Sequence, residues 1–225
     1  MRTADAMTDV RRSEHVGKAT FHGRLSGYPC RLCVAGIGTV NTASALTHEI
    51  DRERPDLAIQ IGIAGAYVPS GLAIGAAAVA SEEIYGDAGV LTPGGWRPME
   101  AIGFPLVPGD PPLFNRFPLD DALTRRAAEA CGAARGPFVT LSQCTGVRAV
   151  GDALCERFGA ICENMEGAAA AHVCALYRIP FLEVRGISNR VEDRDPSRWD
   201  IPGATMAAHE ALMKILRRQG LGARG

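Results

Sequence analysis

The sequence changes from a short strand to a helix within one stretch, Glu163-Asn164-Met165-Glu166-Gly167-Ala168-Ala169. Two carboxylates and a methionine lie at this junction, and the small residues that follow allow the helix to approach a sheet closely. A glutamate near a helix start is also favoured by the helix dipole, which is the plain structural alternative for Glu166. A carboxylate in this position can accept hydrogen bonds from two vicinal hydroxyl groups. The stretch therefore indicates a ribose-binding carboxylate at the edge of an α/β sheet.

Strands and helices alternate on both sides of this stretch. The predicted strands are apolar runs bounded by Gly, Pro or polar residues, at 20–26, 28–36, 57–63, 75–84, 136–142, 159–163 and 180–187. The predicted helices lie at 41–52, 119–131, 147–157, 166–177 and 202–218. This alternation predicts one α/β domain over 1–225, with a mostly parallel, mixed central sheet sandwiched between helices. Residues 1–18 form a poorly defined segment, and the Gly- and Pro-rich segment 86–118 predicts a long surface excursion.

Two further polar residues, Arg185 and Asn189, lie at the end of the apolar strand predicted at 180–187. Arg185 lies inside this strand, where a buried guanidinium requires an acceptor from the protein or from a ligand. Asn189 follows at the predicted strand exit, and its amide both donates and accepts, which suits a purine edge. Ligands of such folds gather at the carboxyl ends of strands. We predict Arg185 and Asn189 as the catalytic pair; the alternatives are a structural arginine and a turn asparagine.

The predicted substrate-binding residues lie at the same strand ends or directly beside them: Glu166, Met165, Asn164, Ile63, Thr145 and Gly146. Glu163, at the end of its own strand, is predicted to have a structural role. We expect it to accept from Arg185 or from a backbone amide.

Composition and charge argue against several other classes. A chain of 225 residues that is 47% hydrophobic and 22% charged fits one soluble domain. A net charge of −1 gives no reason to expect nucleic acid or a membrane as partner. The apolar runs are shorter than the ~18 residues of a spanning helix, and no signal peptide is apparent. Because most of the seven cysteines lie in apolar segments, as reduced thiols would, we expect a cytoplasmic protein.

Two patterns that would suggest a metal or a cofactor are incomplete. Cys30 and Cys33 form a C-x-x-C pair without a second pair, inside a predicted strand. Gly36-Ile37-Gly38 is similar to a dinucleotide-binding turn, but it lacks the third glycine and the later acidic residue. Close backbone approach to a ribose or an anion is its favoured use. The five histidines form no cluster in the sequence. We predict no metal and no cofactor.

Four motifs, in this order, resemble the purine nucleoside phosphorylase and nucleosidase superfamily over roughly 20–218. They are Val34-Ala35-Gly36-Ile37-Gly38, Ile61-Gly62-Ile63-Ala64-Gly65-Ala66, the opening stretch, and Val184-Arg185-Gly186-Ile187-Ser188-Asn189. The resemblance implies that Glu166 holds the ribose 2′ and 3′ hydroxyls, Met165 packs on the sugar and Asn189 contacts the base. It also implies a nucleoside phosphorylase-like fold, a small-molecule nucleoside and water as partners, and a homodimer or larger homo-oligomer.

Two details favour a hydrolase branch of this superfamily. The phosphorylases carry an Arg and a Ser around the second glycine motif to bind phosphate, whereas Gln60-Ile61-Gly62-Ile63 is apolar. The resemblance therefore implies water as the nucleophile. Asn189 stands where methylthioadenosine/adenosylhomocysteine nucleosidases have an Asp, and an amide fits a 6-oxopurine such as hypoxanthine.

Together with the segment 194–202, Asn189 resembles the futalosine hydrolases of menaquinone biosynthesis. These enzymes cleave futalosine to hypoxanthine and dehypoxanthinyl futalosine. Arg190, Arg194 and Arg198 are candidates to meet the carboxylate of such a substrate, with a solvated basic face as the alternative.

The amino end departs from the superfamily pattern, which begins with a strand followed by an acidic residue that activates water. The first predicted strand starts near Thr20, so about one strand of the sheet is expected to be missing. The nearest carboxylate is Glu14, in a predicted helix. The missing acid therefore keeps open a non-catalytic purine-nucleoside binding protein. Independently of it, a methylthioadenosine/adenosylhomocysteine nucleosidase stays open as a sister enzyme with the same fold and another substrate.

Overall fold

A computed structural model of the chain describes residues 2–218. Its strands, in chain order, are β1 (Thr8–His15), β2 (Lys18–Leu25), β3 (Tyr28–Cys33), β4 (Ala58–Tyr67), β5 (Ala77–Tyr85), β6 (Val90–Thr92), β7 (Gly95–Arg97), β8 (Arg116–Pro118), β9 (Ala134–Thr140), β10 (Cys162–Asn164) and β11 (Phe181–Val191). Its α-helices are α1 (Arg2–Asp5), α2 (Thr39–Arg52), α3 (Asp121–Cys131), α4 (Arg148–Phe158), α5 (Gly167–Tyr177) and α6 (Ile201–Arg218). None of these helices is long and apolar enough to cross a membrane.

The central sheet contains six strands in the order β11-β4-β10-β9-β5-β8. An additional antiparallel pairing of β11 with β5 closes five of these strands into a ring. Most paired residues lie in the parallel ladders of β11 with β4, β9 with β10, and β5 with β9. The predicted fold class, an α/β domain with a mixed and mostly parallel sheet, is confirmed.

Strand β11 places different chemistry on its two faces, because successive side chains of a strand point in opposite directions. Leu182 and Val184 pack in a core cluster with α3 and α6. Phe181 packs with α2 and α5 on the other face. Glu183 and Arg185 follow at the same two-residue period, so both charged groups face α5.

The amino-terminal segment differs from the prediction. Thr8–His15 forms β1, which pairs antiparallel with β2 in a separate sheet of order β1-β2-β3. Nearly all of its side chains are exposed, so hydrophobic alternation gives no strand signal. Glu14 lies in this strand, bonded to Arg12, and its predicted helical position is wrong. Among the described residues, the central sheet takes no strand from before Ala58.

The segment 86–118 contains more regular structure than predicted. Strands β6 and β7 pair as a small hairpin, and β8 joins the central sheet beside β5. The buried Asn115 organises the segment: its amide donates to the carbonyls of Tyr85 (2.7 Å) and Ala88 (2.8 Å) and accepts from the Met99 amide (2.7 Å). A single side chain therefore satisfies backbone groups of three residues, at the end of β5 and in the segment that follows it.

We expect Gly186→Ala to lower the free energy of unfolding by about 2 kcal/mol or more, because overpacking of a closed core forces backbone shifts. A Cβ atom on Gly186 would overlap the backbone carbonyl of Ala204, where α6 crosses β11. The urea midpoint measures this loss. Gly94→Ala is the matched control, since its Cβ would have Thr92 Oγ1 at 3.7 Å as nearest neighbour, and it should change stability by less than about 0.5 kcal/mol. Equal midpoints for the two variants would contradict the close approach.

Candidate active site

The junction between β10 and α5 is fixed by the side chain of Asn164. Its Oδ1 accepts from the backbone amides of Glu166 (2.9 Å) and Gly167 (2.7 Å), and from the Thr140 hydroxyl (2.9 Å). The first turn of a helix leaves such amides without partners, so Asn164 stabilises the helix start and holds the backbone of Glu166. The structure gives Asn164 a capping role; contact with substrate stays a prediction.

Two hydrogen bonds fix the carboxylate of Glu166. Oε1 accepts from the backbone amide of Gly38 (2.9 Å), and Oε2 accepts from Arg185 Nη1 (3.0 Å). Gly36 and Gly38 both have positive φ (95° and 91°), a conformation that favours glycine. The glycine motif after β3 therefore brings a backbone amide to the protein's own carboxylate; its approach to a ribose or an anionic ligand stays a prediction.

Arg185 is 3% exposed and has three acceptor contacts. Its Nε donates to Glu183 (2.5 Å), and Nη1 donates to the Ile63 carbonyl (3.1 Å) and to Glu166. A Cβ on Gly62 would overlap the guanidinium, so β4 requires a glycine at this point. Burial acts to lower the pKa of Arg185, but the adjacent Glu183 and Glu166 raise it above its ordinary value. The guanidinium is charged and joins β4, β11 and α5.

Asn189 lies within β11, not at its exit, because the strand continues to Val191. A register shift between Ile187 and Asn189 accommodates it beside Gly65 of β4. Its Oδ1 accepts from the Ser188 hydroxyl (2.8 Å), and its Nδ2 donates to the Arg190 carbonyl (3.1 Å). These bonds distinguish the oxygen from the nitrogen and fix the orientation of the amide.

Glu163 holds the loop that follows β9. Its Oε1 accepts from the backbone amide of Thr145 (2.9 Å), in agreement with the predicted structural role. Burial raises the pKa of Glu163, while its bonds with Thr145 and the Tyr67 hydroxyl lower it. Arg185 takes other acceptors, so of the two partners expected for Glu163 the backbone amide is the one observed.

One pocket brings the loop after β9 together with the end of β11. Its lining includes Thr145, Asn189, Arg190, Glu192, Arg194 and Trp199. Gly146 lies against Arg194, whose guanidinium stacks on the Trp199 ring at 4.7 Å. Arg198 is ion-paired with Glu192 (2.8 Å). Met165, half-buried at the start of α5, accepts from the Cys144 thiol (3.3 Å).

Sequence reasoning missed Glu83 and Glu183, both completely buried next to Arg185. Glu183 could have been found, because it lies two residues before Arg185 on the same face of an apolar strand. Glu83 gives no comparable signal. It follows Ser81 and Glu82, a polar run typical of a strand that reaches the surface.

A profile of the phosphorylase superfamily matches residues 4–218. The chain belongs to this superfamily. Futalosine hydrolase of Thermus thermophilus is 37% identical over 186 residues, covering 82% of this chain and 80% of that protein. Futalosine hydrolase of Streptomyces coelicolor is also 37% identical, over 87% of this chain and 81% of its own length. A 5′-methylthioadenosine/S-adenosylhomocysteine nucleosidase of Geobacillus kaustophilus is 31% identical, over 86% and 80%.

Solved structures of nucleosidases share the fold. The methylthioadenosine/adenosylhomocysteine nucleosidase of Neisseria meningitidis, in complex with methylthio-immucillin-A, superposes with a TM-score of 0.81. The likeness covers 96% of this chain and 95% of that chain at 24% identity. The corresponding enzyme of Colwellia psychrerythraea, in complex with adenine, gives a TM-score of 0.80 at 23% identity, over 95% of this chain and 88% of that one. At these identities the likeness shows the fold alone.

We expect Arg185→Met to lower the free energy of unfolding by about 3 kcal/mol or more near neutral pH, because removing one partner of a buried ion pair leaves the others uncompensated. The loss should shrink in acid, because burial raises the pKa of Glu83, and a protonated Glu83 no longer adds a second buried negative charge beside the missing cation. Urea denaturation at about pH 8 and about pH 5 measures both effects. Arg190→Met, at an exposed position of the same strand, should change stability by less than about 0.5 kcal/mol. A loss for Arg185→Met that is independent of pH would contradict this account.

Proposed function

We propose that the protein is a nucleosidase that hydrolyses the N-ribosyl bond of a 6-oxopurine nucleoside, with futalosine as its substrate. The observation that carries the proposal is the carboxylate of Glu166. It is held from two sides by the Gly38 amide and Arg185 and is 14% exposed, so the sugar can still reach it. The futalosine hydrolases among its relatives, at 37% identity, support the choice of substrate.

Glu166 supplies most of the chemistry in this proposal. The bond between the ribose C1′ and the base nitrogen breaks, the base takes the electron pair and a proton, and the oxygen of water bonds to C1′. The sugar becomes cationic on the way, so a fixed carboxylate that accepts from its 2′ and 3′ hydroxyls stabilises the transition state more than the ground state. Because Glu166 is already oriented by two donors, little reorganisation is needed when the charge develops.

Asn189 selects the leaving base. Its amide is oriented by Ser188 and Arg190, and it lies in the pocket with Thr145. A side chain that both donates and accepts complements hypoxanthine, which presents both an N–H donor and a carbonyl acceptor. Hydrogen bonding to the base as it leaves also stabilises the negative charge that forms on it.

Incubation with futalosine and chromatographic detection of hypoxanthine tests the proposal, with methylthioadenosine and adenosylhomocysteine as competing substrates. We expect hypoxanthine release, and a fall of about 100-fold or more in kcat/KM for Glu166→Gln, because the amide loses the charge that opposes the sugar cation. Glu82→Gln, which changes a partly buried carboxylate paired with Arg116, should leave kcat/KM unchanged. Adenine release with intact futalosine would assign the sister activity, and binding without release of any base would assign a binding protein.

Asn189→Asp should change the preference between bases. A carboxylate only accepts when ionised, so it loses the donor to a 6-oxopurine and gains complementarity to a 6-aminopurine. We expect the ratio of kcat/KM for futalosine to that for methylthioadenosine to fall by about 10-fold or more, which is about 1.4 kcal/mol. Parallel assays of both substrates with the wild type and the variant give this ratio. An unchanged ratio would remove Asn189 from base selection.

A further inference from the structure

Two glutamates from different strands meet beneath the start of α5. Glu83 of β5 and Glu183 of β11 are both 0% exposed. A Cβ on Gly167 would overlap Glu183 Oε2, and also the carboxyl carbon and Oε2 of Glu83. The two carboxyl groups therefore converge on the space beneath this glycine, which no side chain can share.

Each carboxyl group has one oxygen with a partner and one without. Glu183 Oε1 accepts from Arg185 Nε, and Glu83 Oε2 lies 3.1 Å from the Thr140 hydroxyl, whose single proton is divided between Glu83 and Asn164. Among the residues that the structure describes, Glu183 Oε2 and Glu83 Oε1 have no hydrogen-bond partner. Two buried carboxylates side by side are strongly unfavourable. One proton between them removes a negative charge and supplies the missing donor.

The groups that surround the pair favour this single proton. Burial and the neighbouring Glu183 raise the pKa of Glu83 well above its ordinary value, and Arg185 and Thr140 only partly oppose this. The Cys162 thiol on β10 stays neutral, since burial raises its pKa as well. Tyr85 on β5 also stays neutral, because burial raises its pKa to about 12. Arg185 supplies the positive charge, and it already faces Glu166 and Glu183.

We propose that Glu83 and Glu183 share one proton and act together as positioning residues for Arg185, and through Arg185 for Glu166. With the proton present, the two carboxyl groups carry one negative charge between them, which the Arg185 cation balances, so the carboxylate of Glu166 remains available to a cationic sugar. Loss of the proton leaves Glu83 as a second buried anion, which competes with Glu166 for the guanidinium. The effect of Arg185 and Glu166 on the sugar rests on the proposed function. The shared proton does not depend on it.

Infrared spectroscopy tests the proton without any substrate. The difference spectrum between wild type and Glu83→Gln at neutral pH should contain the carbonyl stretch of a buried protonated carboxyl group. Glu82→Gln is the control, because Glu82 lies on the same strand and is ion-paired with Arg116. The spectrum of this variant should still contain the band of the protonated carboxyl group. A wild-type protein without the band, or a band that persists in both Glu83→Gln and Glu183→Gln, would overturn the shared proton.

The pH dependence of thermal unfolding gives an independent measurement. A carboxyl group whose pKa is raised by folding contributes stability that is present at low pH and is lost as the pH rises through the folded-state pKa. The wild type should therefore lose Tm towards alkaline pH more steeply than Glu83→Gln, whose amide stays neutral. Glu82→Gln should follow the wild type. Parallel curves for the wild type and Glu83→Gln would count against a proton held in the folded state.

Kinetics test the positioning role. The kcat/KM of the wild type, measured by release of the base from the nucleoside, should fall at alkaline pH. Glu83→Gln should retain its activity to higher pH. Glu183→Gln weakens the contact that orients Arg185, and kcat should fall on the order of 10-fold because Glu166 is misplaced. Identical pH profiles in the wild type and Glu83→Gln would overturn the positioning role. A protein that has the infrared band but releases no base refutes the proposed function and leaves the shared proton standing.

Discussion

The buried guanidinium of Arg185 must be surrounded by acceptors, and each acceptor comes from a different part of the fold. Glu183 lies on its own strand, the Ile63 carbonyl belongs to β4, and Glu166 begins α5. A buried cation that lost one of these partners would carry a large desolvation cost. The position of the candidate sugar-binding carboxylate is therefore set by the packing of β4, β11 and α5 together, and not by the loop in which Glu166 lies.

Glycines make this arrangement possible, because the absence of a side chain leaves space for charged groups of other residues. Gly62 leaves space for the guanidinium, and Gly167 leaves space for the two carboxyl groups beneath α5. Gly38 contributes its backbone amide to Glu166. These glycines thus serve an internal network of charges in this chain, where a dinucleotide-binding turn would use its glycines to approach a phosphate.

Residues whose local context conflicts with their chemistry could be predicted from the sequence. Arg185 inside an apolar strand requires an acceptor, and Glu166 at a helix start is already oriented by the backbone. Glu83 could not be found in this way, because its burial arises from the pairing of β5 with β9 and β11, far apart in the sequence. Strand β1 was missed for the opposite reason: it is held mainly by backbone pairing with β2, and its exposed side chains carry no periodic signal.

The ring of strands closed by β5 and β11 also determines when the network can form. Strand β11 must pair with both β4 and β5, so its contacts join segments separated by roughly half of the chain. Long-range pairing of this kind is slow, since loop closure costs entropy before any contact repays it. Before β11 pairs with β5, Glu83 lacks the neighbouring guanidinium of Arg185. Assembly of the charged network consequently requires β11: a growing chain that still lacks this strand has the glycines and Glu166, but not the cation that joins them.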